Sequence, residues 1–228
     1  MRTRPERLTA FSAFAALALG AAGTLFERAG PSVLSAGPVE FGAWARTHHD
    51  ALVAQSVIFT LSTAPLLVFF TGLQTVLHQE SGRAASGHVD PALIVLAGGA
   101  LWVTAQLMGQ AVQVAMATAA AHGEQAAFVT SLGDLMRTVL AWGNLPLAAA
   151  LGACAVVGYR DEGLPRWLAA LSGVTGVAHV LPLVVGRSRK GLLSQNSVLA
   201  YLPYPLFVGW MGSVAVILLR RARAPRTA

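Results

Sequence analysis

Six long apolar stretches, separated by short polar segments, make up most of this chain. They cover residues 8–26, 51–77, 92–121, 138–158, 167–186 and 198–219. A helix rises about 1.5 Å per residue, so about 20 residues cross a hydrocarbon core of about 30 Å. We therefore predict an all-α fold, a polytopic membrane bundle of six transmembrane helices that forms a single domain over residues 1–228.

The composition agrees with this class. The chain is 55% hydrophobic and 11% charged, whereas ordinary globular chains carry about 25% charged residues. The apolar runs are continuous rather than alternating, which favours helices over a transmembrane barrel. The net charge of +6 comes mostly from arginines at the ends of the stretches. We expect these cations to meet lipid head groups, so the predicted partners are membrane lipids and not nucleic acid.

Lysine and arginine are distributed unequally between the two sides of the membrane. If the N-terminus is cytoplasmic, that side carries Arg2, Arg4, Arg7, Arg83, Arg160, Arg166, Arg220, Arg221, Arg223 and Arg226. The other side carries Arg28, Arg46, Arg187, Arg189 and Lys190. Because cytoplasmic loops carry the excess of positive charge, we predict a multi-pass protein of the cytoplasmic membrane with both termini inside. The first stretch exceeds the apolar segment of a signal peptide, so we expect it to be retained.

Three glutamines lie on one face of the third predicted helix. Gln106, Gln110 and Gln113 are spaced by four and three residues, which aligns their side chains. Three amides facing lipid would be costly, so this face should point into the bundle. Such a stripe either joins neighbouring helices by hydrogen bonds or lines a ligand site.

Other polar residues lie toward the same predicted outer side. His179 lies deep within the fifth stretch, Asp134 and Arg137 precede the fourth, and His49 precedes the second. Intramembrane ionisable residues are functional candidates, although a hydrogen-bonded core histidine is an equal alternative for His179. Asp134 and Arg137 are spaced to form an ion pair. The sequence thus predicts a cavity in the outer half of the bundle, with its ligand-binding residues being Gln106, Gln110, Gln113 and His179, and His49, Asp134 and Arg137 at its mouth.

The outer loop 186–191 adds three cations to that side: Arg187, Arg189 and Lys190. An anionic ligand or a lipid phosphate would give these cations a partner. The alternative is a loop whose side of the membrane is set by the stronger charge bias elsewhere.

The sequence offers no motif of known catalytic or cofactor chemistry. It lacks a phosphate-binding loop, a dinucleotide fingerprint, a zinc-protease helix and a nucleophile elbow. Its single cysteine, Cys154, excludes an intramolecular disulfide and a thiolate metal site. We predict no metal site, and the identity of any cofactor stays open.

Two short segments carry a resemblance. Residues 162–168, with Pro165, Arg166 and Trp167, lead into the fifth stretch, and residues 69–73 close the second. With the order of the helices, they resemble uncharacterised six-span bacterial membrane proteins. The resemblance implies a bacterial membrane protein and brings no catalytic residues.

Three functions are compatible with this pattern. The leading hypothesis is a protein that binds a small or lipidic ligand in the outer cavity, as a sensor, a transporter or an accessory subunit. The second is a membrane enzyme acting on a lipid or isoprenoid, with His179 and Asp134, or His48 or His49 with Asp50, as acid and base. The third is a structural subunit or homo-oligomer that packs through small residues such as Ala111, Ala115, Ala148 and Gly152.

Overall fold

The computed structural model describes residues 5–27, 37–81, 90–160, 164–184 and 198–223. These residues form eight helices and no strand: α1 (Pro5–Thr24), α2 (Pro38–Thr47), α3 (His49–Ser81), α4 (Pro91–Ala121), α5 (Ala126–Arg160), α6 (Arg166–Val184), α7 (Val198–Tyr201) and α8 (Pro203–Arg223). The all-α prediction is confirmed. Five helices, α1, α3, α4, α5 and α8, are long and apolar enough to cross a membrane. The 19-residue α6 is not among the five.

Several parts of the sequence prediction fall outside the described residues. These are the cationic loop 186–191, the first two residues of the segment 162–168, and five arginines of the charge count, Arg2, Arg4, Arg28, Arg83 and Arg226. The described part of that segment behaves as its sequence suggests. Pro165 immediately precedes α6, and its carbonyl accepts hydrogen bonds from the backbone N–H groups of Leu168 and Ala169.

The six long helices form a closed ring. In chain order α1 packs on α3, α3 on α4, α4 on α5, α5 on α6 and α6 on α8, and α8 returns to α1. Neighbours are antiparallel, because late residues of one helix face early residues of the next. For example, Gly72 lies against Thr9, and Gly23 lies against Phe59. Therefore α1, α4 and α6 end at the same end of the bundle at which α3, α5 and α8 begin.

Small residues allow the helices of this ring to approach closely. A Cβ added to Gly98 of α4 would collide with the carbonyl oxygen of Pro146 of α5, and one added to Gly143 would collide with the side chain of Ala105. On the next helix pair, a Cβ at Gly176 would lie 3.2 Å from the carbonyl oxygen of Ala148. Close backbone approach through small residues is the usual packing mode of membrane helices.

The short helix α2 packs at the end of the ring where α3 begins, which we call the α2 end. Its Phe41 is buried beside Gly133 and Met116, and Arg46 Nε donates a hydrogen bond of 2.8 Å to the carbonyl oxygen of Ala120. This carbonyl lies in the last turn of α4, where orphan acceptors collect and a cation is favoured. This helix was not predicted from the sequence, in which residues 27–50 separate the first two apolar stretches.

Helix α5 begins at Ala126, well before residue 138 where the apolar stretch was predicted to start. Its 35 residues span about 52 Å, more than a hydrocarbon core requires. The additional turns contain Asp134 and Arg137, whose polarity ended the apolar run in the sequence. They are helical because α2 covers them, with Gly42 against Ala126 and Phe41 against Gly133.

The outward faces of the long helices are apolar. Large side chains that stay exposed include Phe11, Leu61, Leu101, Trp142 and Val177, the last with 70% of its surface accessible. Monomeric soluble proteins rarely expose apolar surface on this scale. The arrangement is compatible with an integral membrane protein.

Candidate functional site

A cavity of about 380 Å³ lies inside the ring, toward the α2 end. All six long helices contribute to its wall, through Ala16, Leu17, Gly20, Gln55, Phe59, Ser62, Thr63, Leu66, Trp102, Gln106, Gln110, Gln113, Leu140, Asn144, His179, Pro182, Pro203, Tyr204, Phe207, Val208 and Met211. The volume falls in the range of small-molecule sites, about 300–1,000 Å³. Four of the seven predicted site residues, Gln106, Gln110, Gln113 and His179, line it together.

Gln113 holds two helices together. Its Nε2 donates to Gln55 Oε1 at 2.9 Å and to the carbonyl oxygen of Leu52 at 3.1 Å, both on α3. Gln113 and Gln55 are both buried. Because its donor group is engaged within the protein, Gln113 serves as interhelical glue, which is one of the two roles that the sequence left open.

Gln110 lies one turn from Gln113 and has a different environment. It is 7% exposed, and its Oε1 has no hydrogen-bond partner in the described part of the chain. Trp102 is 8% exposed, and its Nε1 is also without a partner there. Four other residues hold such an atom, but none of them lines the cavity. A buried polar group without a partner costs about 1–3 kcal/mol. The Trp102 donor and the Gln110 acceptor, which have no partner among the described residues, are therefore groups that a hydrogen-bonding ligand would stabilise.

His179 hydrogen-bonds to the backbone through one ring nitrogen, and its other ring nitrogen is left to interact with a ligand. Its Nδ1 lies 2.8 Å from the carbonyl oxygen of Thr175. A carbonyl only accepts hydrogen bonds, so Nδ1 carries the proton and Nε2 of the neutral ring is an acceptor. His179 is 4% exposed and lines the cavity. Its environment therefore combines both alternatives from the sequence, a hydrogen-bonded core histidine and a residue of a candidate site.

Aromatic rings form one side of the cavity. The centroids of Trp102 and Phe207 are 5.0 Å apart at an interplanar angle of 60°. Phe207 also contacts His179 at 5.7 Å and Trp210 at 5.7 Å. Trp210 in turn donates from Nε1 to Ser172 Oγ at 2.8 Å. This second tryptophan has its hydrogen bond satisfied, which distinguishes it from Trp102.

The three residues predicted at the mouth do not line the cavity. Asp134 is exposed on α5, where it acts electrostatically on the half-buried Arg137 together with Tyr201. The Nδ1 of His49 lies 2.8 Å from Asp50 Oδ1 in the first turn of α3. Asp134 and Arg137 lie within α5 because this helix starts before residue 138, and His49 follows α2 closely in the chain. The apolar stretches did not predict either feature. None of the described lining residues is Asp, Glu, Lys or Arg.

The acid–base pairs considered for an enzyme are not assembled at the cavity. His179 lines it without Asp134, and the His49–Asp50 pair is exposed, Asp50 fully so. Among the described residues there is also no group of three or more His, Cys, Asp or Glu side chains that could hold a metal ion.

Several residues of the cavity wall were not predicted from the sequence. Phe207, Phe59 and Pro182 are ordinary apolar residues within long apolar runs, and no sequence signal separates them from lipid-facing neighbours. Asn144, in contrast, is an amide within the apolar stretch 138–158, and it is half-buried at the wall. Polar residues within spans are thus the signal that locates this cavity.

Comparison with known proteins supplies no further identification. No protein-family model, no curated protein and no solved structure matches this chain.

Proposed function

We propose that this chain is a six-span integral membrane protein that binds a small ligand in the cavity lined by Gln110, Trp102 and His179. The observation that carries the proposal is the coincidence of a cavity of about 380 Å³ with two nine-tenths buried lining residues whose polar atoms have no partner among the described residues. Because both atoms are themselves enclosed, a ligand bearing an acceptor and a donor would satisfy both after the two side chains turn toward it. Sensing, transport and an accessory role all begin with this binding step.

The ring supports six spans. Helix α6 lies between α5 and α8 like the other long helices, and its 19 residues reach about 28 Å, close to the thickness of the core. Six antiparallel spans would leave both ends of the chain on one side. We therefore include α6 among the spans.

Charge distribution supports an orientation with the α2 end outside. Arg7, Arg160 and Arg166 lie at the opposite end, as do the three arginines of the last turn of α8. Under the positive-inside rule this opposite end is cytoplasmic. The cavity then lies in the outer half of the membrane, and the membrane is the bacterial cytoplasmic membrane suggested by the resemblance to six-span proteins.

Mass spectrometry of the protein purified in native-lipid nanodiscs tests the proposal. We expect one small molecule to copurify in stoichiometric amount with the wild type and to be depleted in Gln110→Leu and His179→Leu. Gln125→Leu, on an exposed residue outside the cavity, is the matched control and should retain the molecule. A bound molecule that survives both cavity substitutions, or wild-type protein that is reproducibly free of one, would contradict the proposal.

A further inference from the structure

The wall of the cavity restricts the charge of its ligand. The chain has 16 Lys and Arg and 10 Asp and Glu residues, yet none of the described residues lining the cavity belongs to these types. A charged ligand buried without a countercharge loses its hydration, which costs several kcal/mol even after relaxation. The amides of Gln106, Gln110 and Asn144 replace such charges with neutral hydrogen-bonding groups. The ligand that suits this wall is uncharged.

The aromatic side restricts its shape. Trp102 and Phe207 meet at a centroid distance of 5.0 Å, and His179 lies on the same Phe207 ring at 5.7 Å. The three rings therefore lie within reach of one small molecule. Aromatic faces and edges favour another ring over a flexible chain, through offset or edge-to-face contacts.

The unfilled hydrogen-bonding groups restrict its functional group. Trp102 Nε1 is a donor, whereas Gln110 Oε1 and His179 Nε2 are acceptors. A hydroxyl group can donate one hydrogen bond and accept others. A hydroxyl group can thus donate to His179 Nε2 or Gln110 Oε1, or accept from Trp102 Nε1. An ether could only accept, and would leave both acceptors without a partner.

We propose that the cavity binds an uncharged aromatic ring compound that bears a hydroxyl group, of the phenol or hydroquinone class. The ring packs against Trp102 and Phe207, and the hydroxyl donates to His179 Nε2 or Gln110 Oε1. This inference rests on the proposed function, because it specifies the ligand of the same cavity.

Four related compounds separate the elements of this proposal. 2-Naphthol has the aromatic ring and a neutral hydroxyl. 2-Methoxynaphthalene lacks the donor, 2-naphthoate carries a negative charge at neutral pH, and 2-decalol has a hydroxyl on a saturated ring. Binding is measured by equilibrium dialysis against protein-containing nanodiscs, with protein-free nanodiscs of the same lipid to subtract partitioning into the bilayer.

We expect saturable binding of 2-naphthol to the wild type, and binding at least about tenfold weaker for each of the other three compounds, since each lacks one of the expected contacts. Trp102→Phe and Gln110→Leu should each weaken 2-naphthol binding about tenfold. The controls are Trp142→Phe, on an exposed side chain outside the cavity, and Gln125→Leu, and they should bind like the wild type.

Equal or tighter binding of 2-naphthoate would overturn the inference, as would equal binding of 2-decalol or unchanged binding to both cavity variants. If no compound binds but a charged lipid copurifies and is lost in Gln110→Leu, the phenol class is wrong and the proposed binding function stands. If no compound binds and no molecule copurifies, both fail.

Discussion

Gln113 of α4 donates a hydrogen bond of 2.9 Å to Gln55 of α3, while Gln110, one turn away on the same helix, has no partner for its Oε1 within the described chain. The two amides were equivalent in the sequence. In the structure both line the cavity, and Gln113 is the one whose amide is hydrogen-bonded to a neighbouring helix. This division separates the contribution of the glutamine stripe to stability from its contribution to binding.

Leucine substitutions at these two positions should therefore have different effects on stability. Gln113→Leu leaves Gln55 Oε1 without its donor and should reduce the free energy of unfolding by about 1 kcal/mol, the scale of hydrogen bonds between membrane helices. Gln110→Leu removes an unpaired acceptor and should leave stability unchanged or slightly higher. Thermal unfolding followed by the reactivity of the buried Cys154 thiol measures both. A larger loss in Gln110→Leu would show that Gln110 has a structural partner.

Close packing of α4 on α5 gives a second prediction. In Gly98→Ala the new methyl group would meet the carbonyl oxygen of Pro146, a backbone atom that cannot rotate away. Overpacking of this kind costs about 1–3 kcal/mol. A Cβ at Gly152 of α5 meets nothing within 4 Å, so Gly152→Ala should be neutral or stabilising by up to about 1 kcal/mol. The same unfolding assay compares the pair, and equal losses would contradict the α4–α5 contact.

The docking of α2 depends on Phe41. This side chain is 2% exposed and lies against Gly133 and Met116. Truncation in Phe41→Ala should cost about 3 kcal/mol of packing energy and release α2 from the ring. Hydrogen exchange should then accelerate in residues 38–47 but not in the middle of α3. Val39→Ala, at a side chain that is 78% exposed, is the control and should leave exchange unchanged; acceleration in both variants would argue against the Phe41 anchor.

Orientation gives a prediction for intact cells. In a Cys154→Ala background, Glu124→Cys lies in the turn between α4 and α5 at the α2 end, and Arg160→Cys lies at the opposite end. A membrane-impermeant maleimide should label Glu124→Cys in intact cells and label Arg160→Cys only after permeabilisation, because the arginine-rich end is expected in the cytoplasm. The reverse pattern would place the cavity in the inner half of the membrane.

The sequence predicted the helical class and four residues of the cavity wall because both follow from hydropathy. Apolar runs of spanning length produce the long helices, and polar residues such as Gln110 and His179 avoid lipid, so they converge inside the ring. A hydropathy pattern does not show that a helix continues beyond its apolar run. Asp134 and Arg137 were therefore placed at a mouth, whereas they lie within α5 and do not line the cavity.

The partners of individual polar groups also escaped the sequence. Whether a glutamine of the wall is hydrogen-bonded to a neighbouring helix depends on which residue faces it across the bundle. Gln55 faces Gln113, and no described residue satisfies the Oε1 of Gln110. Likewise, Trp210 donates to Ser172, while Trp102 Nε1 has no acceptor among the described residues. Such differences arise from the rotation and register of neighbouring helices, and no single-helix pattern encodes them.

Thiol accessibility at Asn144 tests the central claim, a ligand-binding cavity open to the outer side, most directly. Asn144 lines the cavity and is half-buried, whereas Ser172 is fully buried and bonded to Trp210. In a Cys154→Ala background, we predict that an impermeant maleimide labels Asn144→Cys in intact cells but not Ser172→Cys. We also predict that the copurifying molecule protects Asn144→Cys, and that Gln110→Leu removes this protection. If Asn144→Cys is as unreactive as Ser172→Cys even in ligand-depleted protein, the ring is packed and the binding function is wrong.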